Sequence, residues 1–163
     1  MRIGLVTFLI TLVIDQLSKI LIVFGLDLKV VQTIEVVPPY LVFRMAWNRG
    51  VNFGLFSGES DANRWILIGI ALIVVGFVLF WVRSETDKKV FVSTGLLVGG
   101  AIGNIIDRVV YGAVADFLNM SCCGIENPWS FNVADISIFV GALGLIFLTG
   151  ESSKGRDAES GTG

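Results

Sequence analysis

The chain has 163 residues, 54% of them hydrophobic and 16% charged, with a mean hydropathy of +0.80 and a formal net charge of −2. Soluble domains carry about 25% charged residues, so the composition describes one membrane-embedded domain rather than a water-exposed one. A pI near 5.0 argues against a nucleic-acid partner, and the absence of histidine excludes Ser-His-Asp triads, Cys-His dyads and histidine-ligated metals.

A helix needs roughly 20 apolar residues to cross a hydrocarbon core of about 30 Å. Four stretches are predicted to do so. The first, Ile3 to Leu26, is broken only by Asp15, Gln16 and Lys19. It has an early Arg but no A-x-A-like cleavage site, so it reads as a retained helix. The loop that follows, 27–64, has β-branched or aromatic runs at Val30-Val31, Ile34, Val36-Val37 and Leu41-Val42-Phe43, punctuated by Pro38-Pro39. This strand-turn-strand cue over Asp27 to Phe43 predicts a small sheet at the membrane surface.

The second span, Trp65 to Val82, holds no charge and ends in Phe80-Trp81, an interfacial anchor. The third, Val90 to Ile106, is short and rich in glycine at Gly95, Gly99, Gly100 and Gly103, which suits close packing against a neighbour. In the connection that follows, 107–130, the apolar run Ala113 to Leu118 looks re-entrant. The fourth span, Phe131 to Thr149, carries one acid, Asp135. The expected fold is an all-α integral membrane protein, with four transmembrane helices and a small β-rich extracytoplasmic cradle. Residues 1–150 form its single domain. The polar tail, 151–163, reads as disordered and cytoplasmic.

Orientation follows from basic residues in short loops. Arg83, Lys88 and Lys89 crowd the second-to-third connection, whereas the third-to-fourth holds only Arg108. The positive-inside rule then places both termini in the cytoplasm and the two long loops outside. The four basic residues of the first outer loop are offset by four acids.

Charged side chains in spanning helices cost about 2.5–3.5 kcal/mol each on insertion scales, so they need a reason. Asp15, Ser18 and Lys19 share one helix face, as do Asn104, Asp107 and Arg108. Asn132 and Asp135 are spaced i, i+3 at the outer start of the fourth span, and Asp116 lies inside the apolar run before it. Polar atoms from several elements therefore converge at one depth. Simple structural roles suit some of them: ion pairs for Asp15–Lys19 and Asp107–Arg108, a helix cap for Asn132. Asp116 and Asp135 resist such readings, because neither has a basic residue within four positions. An unpaired buried carboxylate is destabilising unless something uses it.

Two carboxylates in an apolar setting cannot both ionise freely, so the pair holds one proton near neutral pH. The ionised member can activate a water while the protonated member polarises a carbonyl, as in aspartic proteases. Ser57, Ser121, Ser130 and Ser137 have no evident base partner beyond a formal pairing with Lys19. The adjacent Cys122-Cys123 makes a poor metal site.

With these residues in place, the chain resembles the bacterial lipoprotein signal peptidase (signal peptidase II) family over nearly its whole length. The resemblance rests on Asp15-Gln16-x-x-Lys19, Asn48-x-Gly50-x-x-Phe53, Gly99-Gly100-Ala101-Ile102-Gly103-Asn104-x-x-Asp107-Arg108, Val114-x-Asp116-Phe117 and Phe131-Asn132-x-Ala134-Asp135. It implies an aspartyl peptidase of the cytoplasmic membrane, acting near the outer face without metal or organic cofactor. Its substrates would be diacylglyceryl-modified prolipoproteins, cut just before the lipid-bearing cysteine. Asp116 and Asp135 would be the catalytic dyad. Asn104 and Asn132 would hold the dyad and substrate backbone, Asn48 and Arg108 would contact the lipidated substrate, and Asp15 with Lys19 would serve the nearby framework. Gly50, Gly100 and Ala134 fall in the same motifs and are taken as supporting the site. Membrane lipid is the surrounding partner, and a monomer is expected.

Two departures from the family pattern are Val51-Asn52, where many members carry two alanines, and Ala115, where valine is commoner. A proton channel or transporter is the main rival class, but its carboxylates would form a chain across the bilayer rather than a cluster at one face. A serine-type intramembrane protease needs histidine, and the presenilin-like type needs a Gly-x-Gly-Asp run that this chain lacks. A structural anchor would leave both aspartates unexplained.

Overall fold

A computed structural model of the chain describes residues 1–50, 62–121 and 127–160. Helix α1 (Arg2–Lys19) continues as a π-helical stretch, Ile20–Gly25, and is followed by a single turn, α2 (Leu28–Val31). Strands β1 (Thr33–Val37) and β2 (Leu41–Asn48) lead through residues outside the described set to α3 (Ala62–Val82). Helix α4 (Lys88–Tyr111), strand β3 (Val114–Asn119) and α5 (Val133–Ser160) complete the order.

Three helical stretches, Arg2–Gly25, Ala62–Val82 and Lys88–Tyr111, are long and apolar enough to cross a membrane, while the apolar part of α5, Val133–Leu148, is shorter. Helix α4 is the hub, packing on α1, α3 and α5. Its glycines explain how. A Cβ on Gly95 would lie 2.6 Å from the Gly4 carbonyl oxygen, and one on Gly99 would lie 2.8 Å from Thr11 Cβ. One on Gly100 would run into the Ala134 carbonyl oxygen of α5. Backbones approach closely where side chains are absent, the usual device of helix packing in lipid. On the far side, Leu5, Leu9, Ile73, Phe77 and Phe139 are left uncovered. Such exposure suits hydrocarbon and not water.

The small sheet has the order β1-β2-β3, antiparallel throughout. Ile34 faces Phe43 and Thr33 faces Arg44 across the first pair. Asn48 faces Val114 and Ala46 faces Asp116 across the second, with a register shift between Phe43 and Ala46. Val23, Leu28, Met45, Ala115 and Phe117 form the core that joins the sheet to the end of α1. A second core, including Val75, Val90, Leu97 and Leu145, binds α3, α4 and α5.

Several expectations need correction. Val30-Val31 belongs to a helical turn, not a strand: their N–H groups both donate to the Asp27 carbonyl, and Asp27 and Gln32 flank the turn at φ 55 and 67. That turn drives Leu28 fully into the core. The run Ala113 to Leu118, which looked re-entrant, supplies Val114 to Leu118 of β3, whose residues are buried on both faces and therefore show no polar alternation. Helix α4 extends past Ile106 to Tyr111, so Asp107 and Arg108 are helical, and Gly112 at φ +78 ends the helix. Phe131 precedes α5 and bridges to Leu118.

Candidate active site

The end of α4, the strand β3 and the start of α5 meet around two carboxylates. Asp116 comes from β3, in a register that puts it on the same sheet face as Ala46 and Asn48. Asn48 therefore reaches it diagonally, donating from Nδ2 to Asp116 Oδ2 at 3.0 Å. The other oxygen, Oδ1, accepts from Asn132 Nδ2 at 2.6 Å. Asp116 is 3% exposed.

Asp135 is placed by a helix start. The Asp135 N–H donates to Asn132 Oδ1 at 2.9 Å, and the Asn132 N–H donates to Asp135 Oδ2 at 3.3 Å. This reciprocal exchange is a capping box built with Asn and Asp. Asp135 Oδ1 accepts from Asn104 Nδ2 at 2.9 Å, and Asn132 Nδ2 also reaches Asn104 Oδ1 at 3.3 Å. Each of the four carboxylate oxygens thus has an amide donor, and Asn132 touches both acids. Amides orient the pair without neutralising it.

Burial raises the Asp116 carboxyl from its ordinary 3.8 to about 6. The nearby charge of Asp135 pushes the same way, while the hydrogen bonds from Asn48 and Asn132 and the charge of Lys19 pull it back. An acid that titrates there is shared between its two forms close to neutral pH.

Beneath the pair lies a buried ionic node. Lys19 Nζ bridges Asp15 Oδ2 and Asp107 Oδ2, both at 2.8 Å. Gln16 Nε2 adds bonds of 3.1 Å to Asp15 and 3.2 Å to Asp107. The Asp15–Lys19 pair agrees with the sequence reading. The expected Asp107–Arg108 pair is corrected: the Asp107 salt bridge is to Lys19, and the Arg108 Nη1 donates to the Asn104 carbonyl at 3.2 Å. Lys19, saturated by two acids, is no base for a serine.

The other expected residues gather here as well. Arg108 is half-buried and close enough to feel the charges of Asp135 and Asp116. Gly50 takes φ +87, and its N–H donates to Asn48 Oδ1 at 2.9 Å, so the turn after β2 fixes the amide that holds Asp116. Ala134 is fully buried, and its N–H donates to Asp15 Oδ1 at 3.0 Å. Asn48 was expected at the substrate but makes its contact with Asp116 itself. Phe53, Val51-Asn52, Ser57 and Cys122-Cys123 lie outside the described residues.

Three contributors escaped the sequence reading. Asp107 was given only an ion pair with Arg108, and Gln16 stood in a motif with no role of its own. Buried Asn119 donates from Nδ2 to the Asn127 and Trp129 carbonyls at 2.8 and 2.9 Å, shaping the chain that delivers Asn132. Its position at the end of an apolar strand was the only available signal. Among the described residues, no three His, Cys, Asp or Glu side chains are grouped to hold a metal. A crevice of about 400 Å³ opens at the other end of α4, lined by Gly4, Phe8, Val82, Phe91 and Val98, well away from the carboxylates.

The family model for signal peptidase (SPase) II matches residues 7–149. A lipoprotein signal peptidase of Methylorubrum extorquens (strain PA1) is 43% identical over 89% of this chain and 84% of its own length. One from Caulobacter vibrioides is 39% identical over 92% of this chain and 89% of its own. Among solved structures, a bacterial membrane enzyme determined by the in meso method at 2.3 Å superposes with a TM-score of 0.75 at 26% identity. That superposition covers 94% of this chain and 90% of the other. With the match running from α1 through the apolar part of α5, the chain belongs to the signal peptidase II family of aspartic peptidases.

Proposed function

We propose that Asp116 and Asp135 are the catalytic dyad, and that they cleave the signal peptide from diacylglyceryl-modified prolipoproteins just before the lipid-bearing cysteine. The observation that carries this reading is Asn132, which donates to one carboxylate through its side chain and to the other through its backbone. It joins two acids, one buried and one half-open.

The chemistry needs one ionised and one protonated carboxyl. The ionised member takes a proton from a water, whose oxygen attacks the scissile carbonyl carbon. The protonated member donates to the carbonyl oxygen as its charge develops. Collapse of the tetrahedral intermediate breaks the C–N bond, and the proton gained from water passes to the leaving amine. Asn48 holds Asp116 Oδ2 and Asn104 holds Asp135 Oδ1. Buried Arg108 Nε has no hydrogen-bond partner among the described residues and is a donor left for the substrate.

The same reading makes residues 1–150 one peptidase domain with four spans, α5 being the fourth despite its shorter apolar length. Both termini face the cytoplasm and the dyad lies near the outer face of the inner membrane. The monomer is the working unit. A lipid-anchored substrate then reaches the site by diffusion within the bilayer, its signal helix entering from the side among α3, α4 and α5. No cofactor takes part.

The test is cleavage of a diacylglyceryl-modified prolipoprotein by the purified protein, beside the unlipidated precursor and the Asp116→Asn variant. Cleavage of the lipidated substrate alone, lost in the variant, is the expected result. Near-normal cleavage by folded Asp116→Asn would sink the dyad.

A further inference from the structure

Each aspartate of the dyad follows a residue whose backbone N–H is held by another buried carboxylate. The Ala115 N–H, just before Asp116, donates to Asp107 Oδ2 at 3.1 Å. The Ala134 N–H, just before Asp135, donates to Asp15 Oδ1 at 3.0 Å. One cation, Lys19, joins these two carboxylates at 2.8 Å each, and Gln16 spans them a second time. Asp15 and Asp107 are fully buried and Lys19 is 3% exposed. The backbone one residue ahead of each dyad aspartate is therefore tied to one ammonium group.

We propose that Asp15, Lys19 and Asp107 form a positioning clamp that fixes the spacing and alignment of the Asp116 and Asp135 carboxyls. The proposal rests on the dyad reading above. A mere tie between helices would not call for charge, since apolar residues of similar volume commonly replace buried ion pairs without loss of stability. Here each carboxylate receives both a backbone N–H and the ammonium, Asp107 on a single oxygen and Asp15 on its two. Gly103 belongs to the device, because a Cβ there would strike the Asp15 carboxylate.

The clamp also has an electrostatic reach. The charged and polar groups facing Asp116 are Lys19 from α1, Asn48 from β2, Arg108 from α4, Asn132 at the start of α5 and Asp135 within it. Lys19 itself faces Asp15 and Asp107. Among these, Lys19 favours the ionised form of Asp116 from behind the site.

The experiment compares Lys19→Met, Asp107→Asn, Asp107→Ala and Asp116→Asn in the purified full chain, reading kcat, KM, the pH profile and thermal unfolding. A displaced catalytic group costs up to about 100-fold in rate. Lys19→Met is expected to lose at least tenfold in kcat with little change in KM, and to move the alkaline limb of the profile to higher pH. Asp107→Asn keeps an oxygen for the Ala115 N–H and should retain at least tenfold more kcat than Asp107→Ala. A folded Lys19→Met with wild-type kcat and pH profile would overturn the clamp, as would equal losses in the two Asp107 variants. Failure of both Lys19→Met and Asp107→Asn to fold would assign the node to stability alone and overturn it too. An active Asp116→Asn would instead remove the dyad, whatever the Lys19 result.

Discussion

Asp135 and Asn132 exchange hydrogen bonds across the first turn of α5, side chain to backbone in each direction. One of the two acids thus also caps a helix start. The orphan N–H groups at a helix start must find acceptors, and Asp135, Asn132 and Asp15 supply them. The carboxyl that needs an exact orientation for chemistry receives it from an ordinary capping requirement.

Asp135 should accordingly separate its two roles by substitution. Asp135→Asn removes the ionisable carboxyl, which abolishes cleavage, but keeps one oxygen for the Asn132 N–H, so it should lose less stability than Asp135→Ala. Asp135→Ala loses the acceptor as well, at a further cost of about 1 kcal/mol typical of a lost cap. Cleavage assays paired with thermal unfolding in a membrane mimetic distinguish the two. Equal stability of both variants would show that the cap contributes nothing.

The raised Asp116 carboxyl predicts a pH signature of known sign. Between its ordinary 3.8 and about 6, the folded protein binds more protons at this group than the unfolded chain does. The stability it contributes is present in full below the lower value and is lost as pH rises through the upper one. Asp116→Asn should therefore raise the unfolding midpoint relative to wild type at pH 7.5 and change it little at pH 3.5. In activity, the alkaline limb of kcat/KM should fall near pH 6, where Asp116 gives up the proton that the pair needs. Asn48→Ala removes a donor that favours the ionised form, so it should move that limb upward. A wild-type profile with no alkaline fall below pH 8 would contradict this account.

The sequence carried the site further than it carried the fold around it. Asp116 and Asp135 stood out because a charge amid apolar residues is costly wherever it occurs, and that rule needs no partner to be known. Asn132 as a cap and Asp15 with Lys19 were equally visible, since helix spacing alone makes them neighbours. The partner of Asp107 was not, because Lys19 and Gln16 lie in another helix far away in the chain, and the adjacent Arg108 offered a nearer cation. Strand β3 was hidden for a different reason. Burial on both faces erases the alternation that marks a strand, leaving a run indistinguishable from a membrane-dipping segment. Val30-Val31 misled by propensity: β-branched residues sat in a turn because Leu28 had a pocket to fill.

The glycines of the hub helix predict a graded response to one added methyl. Gly100→Ala would press on the Ala134 carbonyl oxygen and Gly103→Ala on the Asp15 carboxylate. Neither neighbour can yield without moving a peptide unit or an ion pair beside the dyad. A cost of about 1–3 kcal/mol is expected for each, with cleavage reduced. Gly69 and Gly76 in α3 have nothing within 4 Å, so alanine there should leave both stability and cleavage essentially unchanged. Parallel unfolding curves and cleavage rates for the four variants test the contrast; uniform tolerance would mean that α4 does not need its close approaches.

Asn119 offers a test of how the dyad is delivered. It is 2% exposed and spends both side-chain N–H groups on backbone carbonyls, those of Asn127 and Trp129. Its own Oδ1 accepts from Ser121 Oγ at 3.4 Å. These bonds fold the chain back so that Phe131 can pair with Leu118, its N–H donating to the Leu118 carbonyl at 3.0 Å, one residue before Asn132. Asn119→Ala leaves two carbonyls short of a donor, at a cost of about 1–3 kcal/mol for each buried group that finds no water. Asn119→Asp is expected to be worse, because a carboxylate only accepts and would face two carbonyl oxygens. Both variants should lower kcat more than their loss of folded protein explains, since Asn132 touches both acids and its place depends on this return. Rates normalised to folded protein would decide it: unchanged values per folded molecule would mean that Asn132 is held by α4 and α5 alone.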